Sequence, residues 1–156
     1  EYLSIISKIK KNVPKMAFSS DFIVGYPGES NNDFEETLDL IEKVNFASSY
    51  SFKYSPRPGT PASTKKNYIN DQISNLRLKK IQELLNKQQK TFNTSFIDKN
   101  IDVLISGRGK KENQYVGRTP YLQPVHIVSS RNLIGKILKI KIESLTSFSF
   151  HGKIIT

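Results

Sequence analysis

The sequence predicts a mixed fold: an α/β unit, then a long helix, then a small all-β barrel. Residues 2–54 alternate between helical and strand patterns, residues 71–97 keep a helical period, and the last third contains short strands separated by glycine-containing turns. Alternating helices and strands favour a parallel sheet or barrel, whereas a series of short strands favours a closed β-barrel. At 156 residues, the chain is long enough for one domain or two small ones.

The first helix and strand are predicted at residues 2–12 and 17–24. Apolar side chains recur at helical spacing over the first segment, and Pro14 then ends the pattern. In the second segment, mainly apolar and mainly polar positions alternate. Its aromatic side is expected to pack against helices, and the side with Ser19 and Asp21 to face a polar interior.

The next helix is predicted to begin after Ser30, a good N-cap with Asp33 three residues later as a variant capping box. A second strand is predicted at about 48–54. The following stretch, 55–63, contains three prolines and a glycine, which predicts a rigid loop rather than a flexible linker.

The long helix at 71–97 is interpreted as a strut between two domains. Beyond it, residues 107–111 form a basic turn in the predicted barrel, and Lys139 and Lys141 alternate with core residues as a row of ammonium groups. The barrel strands are predicted at residues 101–105, 114–118, 124–128, 136–142 and 148–155.

Charge is concentrated in the last third of the chain. The net charge is +10, and residues 99–156 hold ten basic and three acidic side chains, a net +7. A concentrated basic face suggests a phosphate-rich partner, although a lysine surface that only aids solubility is the plain alternative.

Several classes of protein are excluded by composition. Cysteine is absent, which excludes disulfides and thiolate ligation of zinc or an iron–sulfur cluster by this chain alone, and is compatible with a cytoplasmic protein. We expect no membrane partner, because no apolar run approaches the ~18 residues of a membrane span. No signal-peptide pattern is present. Since residue 1 is not Met, we expect the numbering to begin inside a longer protein.

Two segments are candidates for ligand contact. The strand at 17–24 runs directly into a Gly-Pro-Gly turn, which lets backbone groups approach a ligand closely; the alternative is an ordinary strand–turn–helix connection. Arg57 lies between two prolines, where its guanidinium can grip a carboxylate or phosphate or form a salt bridge. His126 and His151 lack a ligand cluster, so they are interpreted as structural and no metal site is predicted.

Five stretches of the chain form a recognisable set: SDFIVGYPGE at 20–29, DFEETL at 33–38, YSFKYSPRPGTPA at 50–62, VGRT at 116–119 and FHGK at 150–153. Together they resemble the radical-SAM methylthiotransferases, most closely the 2-methylthio-isopentenyladenosine synthase branch, which modifies a tRNA adenosine beside the anticodon. The last two are similar to the TRAM domain of that family, a small RNA-binding barrel.

The resemblance implies three segments. Residues 1–70 would be the C-terminal part of an open radical-SAM (β/α) barrel, residues 71–98 a connecting helix, and residues 99–156 a TRAM-like five-stranded RNA-binding barrel. The family's N-terminal domain and its Cys-x-x-x-Cys-x-x-Cys loop have no counterpart here. The chain is therefore expected to be about the last third of such an enzyme.

The resemblance also implies site residues. S-adenosylmethionine would be bound by Ile23, Gly25, Tyr26, Pro27, Gly28, Glu29 and Arg57. RNA would be contacted by Arg108, Lys110, Lys111, Arg118, Arg131 and Lys136, with Tyr115 and Tyr121 as possible base-stacking residues.

The implied parent is a transferase that adds a methylthio group to isopentenyl-adenosine. Its iron–sulfur clusters would be ligated outside this chain, and its partners would be a tRNA anticodon stem-loop and the missing N-terminal part of the enzyme. Alone, the chain is expected to be inactive, with no catalytic residue of its own. The alternatives are a fragment of the related branch that modifies a ribosomal-protein aspartate, and a non-catalytic RNA-binding remnant of a truncated gene.

Overall fold

The computed structural model describes residues 1–147 and 149–155. The chain divides into two compact units, the first spanning Glu1–Thr91 and the second beginning at Phe92. Within the described residues, none of the helices combines the length and the apolar character needed to cross a membrane.

The first unit alternates helices and strands. Its sheet has two parallel strands, in which Ser19 pairs with Ser48 and Val24 pairs with Lys53. Its elements are α1 (Tyr2–Asn12), β1 (Ser19–Val24), α2 (Asn31–Val44), β2 (Ser48–Lys53), a 3₁₀ turn (Pro61–Thr64) and α3 (Asp71–Thr94), which continues past the boundary between the units.

Helices cover one face of this sheet. Val24, Ile41 and Val44 are fully buried in a common core, and Phe22 packs against it, so the aromatic side of β1 faces the helices as its sequence pattern predicts. The start of α2 is fixed by a capping box: the Asp33 N–H donates to Ser30 Oγ at 3.1 Å, and the Ser30 N–H donates to Asp33 Oδ2 at 2.7 Å.

The long helix α3 is part of the first core along much of its length. Ile81 is fully buried and Leu85 nearly so. Gln88 is buried too, donating to the Ile41 carbonyl at 2.8 Å and accepting from the Phe46 N–H at 3.0 Å. The helix interpreted as a strut therefore packs against the α/β elements, and the boundary between the two compact units falls inside it.

The second unit is a closed five-stranded barrel, as the sequence predicts. Its strands follow the order β3-β4-β5-β7-β6, and β3 pairs with β6 to close it. The strands are β3 (Asn100–Arg108), β4 (Gln114–Arg118), β5 (Pro124–Val128), β6 (Ile137–Leu145) and β7 (Phe150–Ile154).

Three of the five barrel strands, β3, β6 and β7, have boundaries that differ from the sequence-based ones. β6 ends at Leu145 rather than at residue 142. Gly107 and Arg108 belong to β3 rather than to a turn, because a register shift between Ile105 and Gly107 lets the strand continue along β4. At the last strand, β7 begins at Phe150; Phe148, where the sequence places its start, lies outside the described residues.

Small residues allow the barrel to close tightly. Val103, Ile105 and Ile140 point inward and are fully buried. A Cβ on Gly117 would lie 2.7 Å from the Leu104 carbonyl oxygen, and one on Gly152 would lie 2.7 Å from that of Lys141. Both glycines therefore permit a close approach of backbones that any side chain would prevent.

Candidate nucleic-acid interface and cofactor turn

The turn at residues 25–29 begins where β1 ends. Gly25 has φ +73° and Gly28 has φ +90°, a region that L side chains rarely adopt. A Cβ on Gly25 would also collide with Ser74, and one on Gly28 would lie 2.5 Å from the Asn67 amide nitrogen. The sequence correctly places a glycine-dependent turn here, and the chain's own packing fills the space beside both glycines.

A buried ion pair holds this turn. Arg77 on α3 donates to Glu29 Oε2 at 2.7 Å and to the Glu29 carbonyl at 3.0 Å, and its second nitrogen reaches Asn31 Oδ1 at 2.8 Å. The Gly25 N–H donates to the same carboxylate oxygen at 2.7 Å. The side chains of Arg77 and Glu29 are only 7% and 10% exposed. The Glu29 carboxylate thus stabilises the turn internally, by bonding both the Gly25 backbone and Arg77 of α3.

Sequence reasoning missed Arg77. One signal was available: Ser74, Arg77 and Ile81 share a buried stripe of α3 at spacings of three and four residues. An arginine at an otherwise buried helical position needs an anionic or hydrogen-bonding partner, since a lone charge there is costly. Its partner Glu29 is 48 residues away in sequence, so only the fold identifies it.

The other residues predicted to bind the cofactor differ in accessibility. Ile23 is 57% exposed on the sheet face opposite the helices, and Tyr26 is 43% exposed with the Lys65 ammonium 5.0 Å from its ring centre. Arg57 is exposed, and its guanidinium forms no salt bridge within the described residues. Pro27 is buried, whereas Gly28 is exposed. Ligand contact is thus open to Ile23, Tyr26, Gly28 and Arg57.

The uncovered face of the two-stranded sheet is apolar in part. Tyr50 and Phe52 of β2 stack with ring centres 6.5 Å apart, and they are 71% and 52% exposed. Ile23 on β1 is the register partner of Phe52. The polar interior predicted beside Ser19 and Asp21 is therefore an open face in this chain, polar at one end of the strands and aromatic at the other.

Five of the six predicted RNA-contacting cations belong to one end of the second unit. The β3–β4 and β5–β6 connections lie at the same end of the barrel, and the Ser129 N–H donates to the Asn113 carbonyl between them at 2.9 Å. Arg118 lies at the other end of β4, where it donates to the Leu122 carbonyl at 3.0 Å. The cations in or beside the two connections are Arg108, Lys110, Lys111, Arg131 and Lys136.

These five cations differ from the lysines on β6. None of the five forms a salt bridge within residues 1–147 and 149–155, and Arg108 lies 5.9 Å from the centre of the Tyr115 ring. By contrast, Lys139 pairs with Asp102 at 3.6 Å and Lys141 with Asp98 at 3.2 Å. The predicted row of ammonium groups is therefore partly neutralised, whereas the end loops keep their charge.

Neither tyrosine considered for base stacking presents a free ring. Tyr115 is 4% exposed and belongs to the barrel core. Tyr121 packs against Phe92 and Phe96, with ring centres 5.4 and 5.3 Å away. Both are structural in this unit.

The two histidines, predicted to be structural, are neighbours across parallel strands. His126 on β5 pairs in register with His151 on β7, and their ring centres are 5.5 Å apart. Burial lowers the pKa of His126 below its ordinary 6.5, and the charge of His151 lowers it further. In the described part of the chain, no three His, Cys, Asp or Glu residues are grouped so that they could hold a metal ion.

We expect this pair to make the barrel acid-sensitive. In the unfolded chain His126 takes up a proton as the pH falls below 6.5, whereas in the folded chain it does so only at lower pH, because its pKa is lowered. The free energy of unfolding therefore decreases as the pH falls from 6.5 towards the pKa of His126 in the folded chain. His126→Gln should flatten the dependence more than His151→Gln. The measurement is urea unfolding at several pH values, followed by barrel NMR signals. If wild type and His126→Gln lose stability equally as the pH falls, His126 is not the source of the acid sensitivity.

The geometry of the second unit defines a class. A closed five-stranded barrel with unpaired cations at one end is typical of small β-barrels that bind nucleic acid. Residues 96–155 match the family model of the TRAM domain, an RNA-binding domain.

Relatives extend the match to almost the whole chain. It is 47% identical over 158 residues to tRNA-2-methylthio-N(6)-dimethylallyladenosine synthase of Wolbachia pipientis wMel, with 97% of this chain and 36% of the relative covered. The synthase of the same name from Bartonella bacilliformis is 48% identical, with 98% and 33% covered. The chain thus spans about a third of these relatives. It belongs to the radical-SAM methylthiotransferase family, tRNA branch, and corresponds to the C-terminal part with its TRAM domain.

Proposed function

We propose that this chain is the RNA-holding C-terminal portion of an enzyme that adds a methylthio group to isopentenyl-adenosine next to the anticodon of tRNA. The observation that carries the proposal is the group of five unpaired cations at one end of the TRAM barrel. Phosphates of a tRNA anticodon stem-loop would bind there, because cations that have no carboxylate partner among the described residues can replace the counterions of a nucleic acid. The names of the relatives support the choice of tRNA.

We also propose that residues 1–70 are the C-terminal part of an open radical-SAM barrel, with residues 71–98 connecting it to residues 99–156. Parallel strands with helices on one face and an uncovered opposite face support this, because a barrel interior needs the remaining strands to enclose it. Ile23, Tyr26, Gly28 and Arg57 would contact S-adenosylmethionine. Gly25, Pro27 and Glu29 would act by holding the turn in shape.

Turnover is proposed to require the rest of the enzyme. S-adenosylmethionine would supply the methyl group and the radical, whereas the iron–sulfur clusters would be held by cysteines, which this chain does not contain. The chain alone is therefore proposed to bind RNA without modifying it.

The test of RNA binding is the salt dependence of affinity for an anticodon stem-loop. We expect log Kd to change with log salt by about 0.7 for each single-strand phosphate contact. Lys110→Ala combined with Lys111→Ala should weaken binding to all RNA sequences alike and flatten the slope by about one to two units. Fluorescence anisotropy with a labelled stem-loop over a KCl series measures both effects.

A matched control removes the same charge elsewhere. Lys139→Ala combined with Lys141→Ala also deletes two cations from the barrel, but these are already paired with Asp102 and Asp98. We expect this control to change the slope much less. Salt-insensitive binding, or equal effects of the two double variants, would overturn the assignment of RNA binding to the end loops.

A further inference from the structure

A recess on the outer surface of the barrel lies next to the basic β3–β4 loop. It has a volume of about 280 Å³, below the usual range for drug-sized ligands and suited to a single heterocycle. Residues from four strands line it: Gln114, His126, Val128, Glu143, His151 and Lys153. Gln114 links the recess to the basic loop, because its Oε1 accepts from the Lys111 N–H at 3.2 Å. We call this feature the histidine recess.

The histidine rings give the recess a flat unsaturated surface. The planes of His126 and His151 are inclined by 30°. Their strand neighbours Val125, Ile127 and Phe150 are buried in the barrel core, whereas His126 is half-buried and His151 is exposed. Burial favours the neutral form of His126, so its ring can stack without an added charge. The Nδ1 atom of His126 is buried and has no hydrogen-bond partner in the described chain. Imidazole rings on a β-sheet surface are among the groups on which unpaired RNA bases stack.

The polar groups of the recess fit the edge of a base better than a phosphate. Glu143 forms no salt bridge or hydrogen bond with the other described residues, so its carboxylate can accept an N–H from a base edge, whereas it would repel a phosphate. The Gln114 oxygen is engaged by Lys111, which leaves its amide N–H groups to donate to a ring nitrogen or carbonyl. Lys153, also lining the recess, can take the adjoining phosphate.

We propose that the histidine recess holds one unpaired base of the RNA strand whose phosphates the basic end loops bind. The inference rests on the proposed RNA binding and adds a contact of a different kind. Phosphate contacts hold the strand without reading it, whereas a stacked base with its edge against Glu143 and Gln114 fixes the register of the strand on the barrel.

The test compares His151→Ala and Glu143→Gln with wild type for binding to the anticodon stem-loop. Stacking of one base is worth about 1–3 kcal/mol, so His151→Ala should weaken binding by a factor of about 5 to 150. The salt slope should stay unchanged in both variants, because no phosphate contact is removed. Both side chains are exposed, so the barrel should remain folded, which one-dimensional NMR of the core methyl groups checks.

Abasic RNA provides the decisive control. Stem-loops that lack the base at each loop position in turn should include one to which wild type and His151→Ala bind equally. The chain has two histidines, so their ring proton signals are assigned by His151→Ala alone, and both should shift with intact RNA but not with that abasic RNA.

The outcomes separate two failures. If wild type binds RNA with the expected salt slope, and neither the variants nor any abasic position changes affinity, the recess proposal is overturned while RNA binding stands. If wild type binds no RNA, both proposals fall.

Discussion

Replacing Arg77 with methionine is expected to destabilise the first unit by about 3–5 kcal/mol, because removing one member of a buried ion pair leaves the other charge buried and unpaired. In the variant, Glu29 Oε2 would keep the Gly25 N–H as a hydrogen-bond donor but would lose its ion pair with Arg77. The turn would also lose the contacts of Arg77 with the Glu29 carbonyl and Asn31. Urea unfolding followed by far-UV circular dichroism measures the loss.

The same helix offers a matched control. Lys80 forms an ion pair with Glu35 at 2.8 Å, but both side chains are more than half exposed. Lys80→Met should therefore change stability by about 0–1 kcal/mol. Combining Arg77→Met with Glu29→Gln should recover part of the loss, because no unpaired charge remains buried. If Arg77→Met lowers the free energy of unfolding no more than Lys80→Met does, the ion pair between Arg77 and Glu29 does not stabilise the turn.

The sequence predicted those structural features that depend on residues close together in the chain. The Ser30–Asp33 capping box, the glycine turn after β1 and the inward side of β1 all follow from spacing within a few residues, and the structure confirms them. The closed five-stranded barrel follows from the succession of short strands.

Long-range pairing could not be read in the same way. Arg77 and Glu29 meet only because α3 packs beside the turn. His126 and His151 become neighbours because β5 and β7 pair in parallel, although they are not consecutive strands. The lysines of β6 are neutralised by Asp102, which lies in β3, and by Asp98, which lies just before it. Each pairing depends on which strands and helices become neighbours, and the hydrophobic periodicity within one segment does not determine that.

Replacing Gly152 with alanine is expected to destabilise the barrel by about 1–3 kcal/mol, the usual cost of overpacking a core. The added Cβ would lie 2.7 Å from the Lys141 carbonyl oxygen and would collide with Ile140, which is fully buried. Because the nearest polar obstacle is backbone, a change of rotamer cannot relieve the clash, and the β6–β7 pairing must open. RNA affinity should fall together with the folded fraction, measured on the same sample.

Gly107 supplies the control for this last prediction. It lies on β3 of the same barrel, has no positive φ, and a Cβ there would meet nothing within 4 Å. Gly107→Ala should therefore leave stability within about 0.5 kcal/mol of wild type, as surface substitutions usually do. The contrast isolates close packing from the general cost of losing a glycine, since both positions have backbones that alanine can adopt. Equal unfolding midpoints for the two variants would mean that the barrel relaxes around residue 152, and that its closure does not require a bare backbone there.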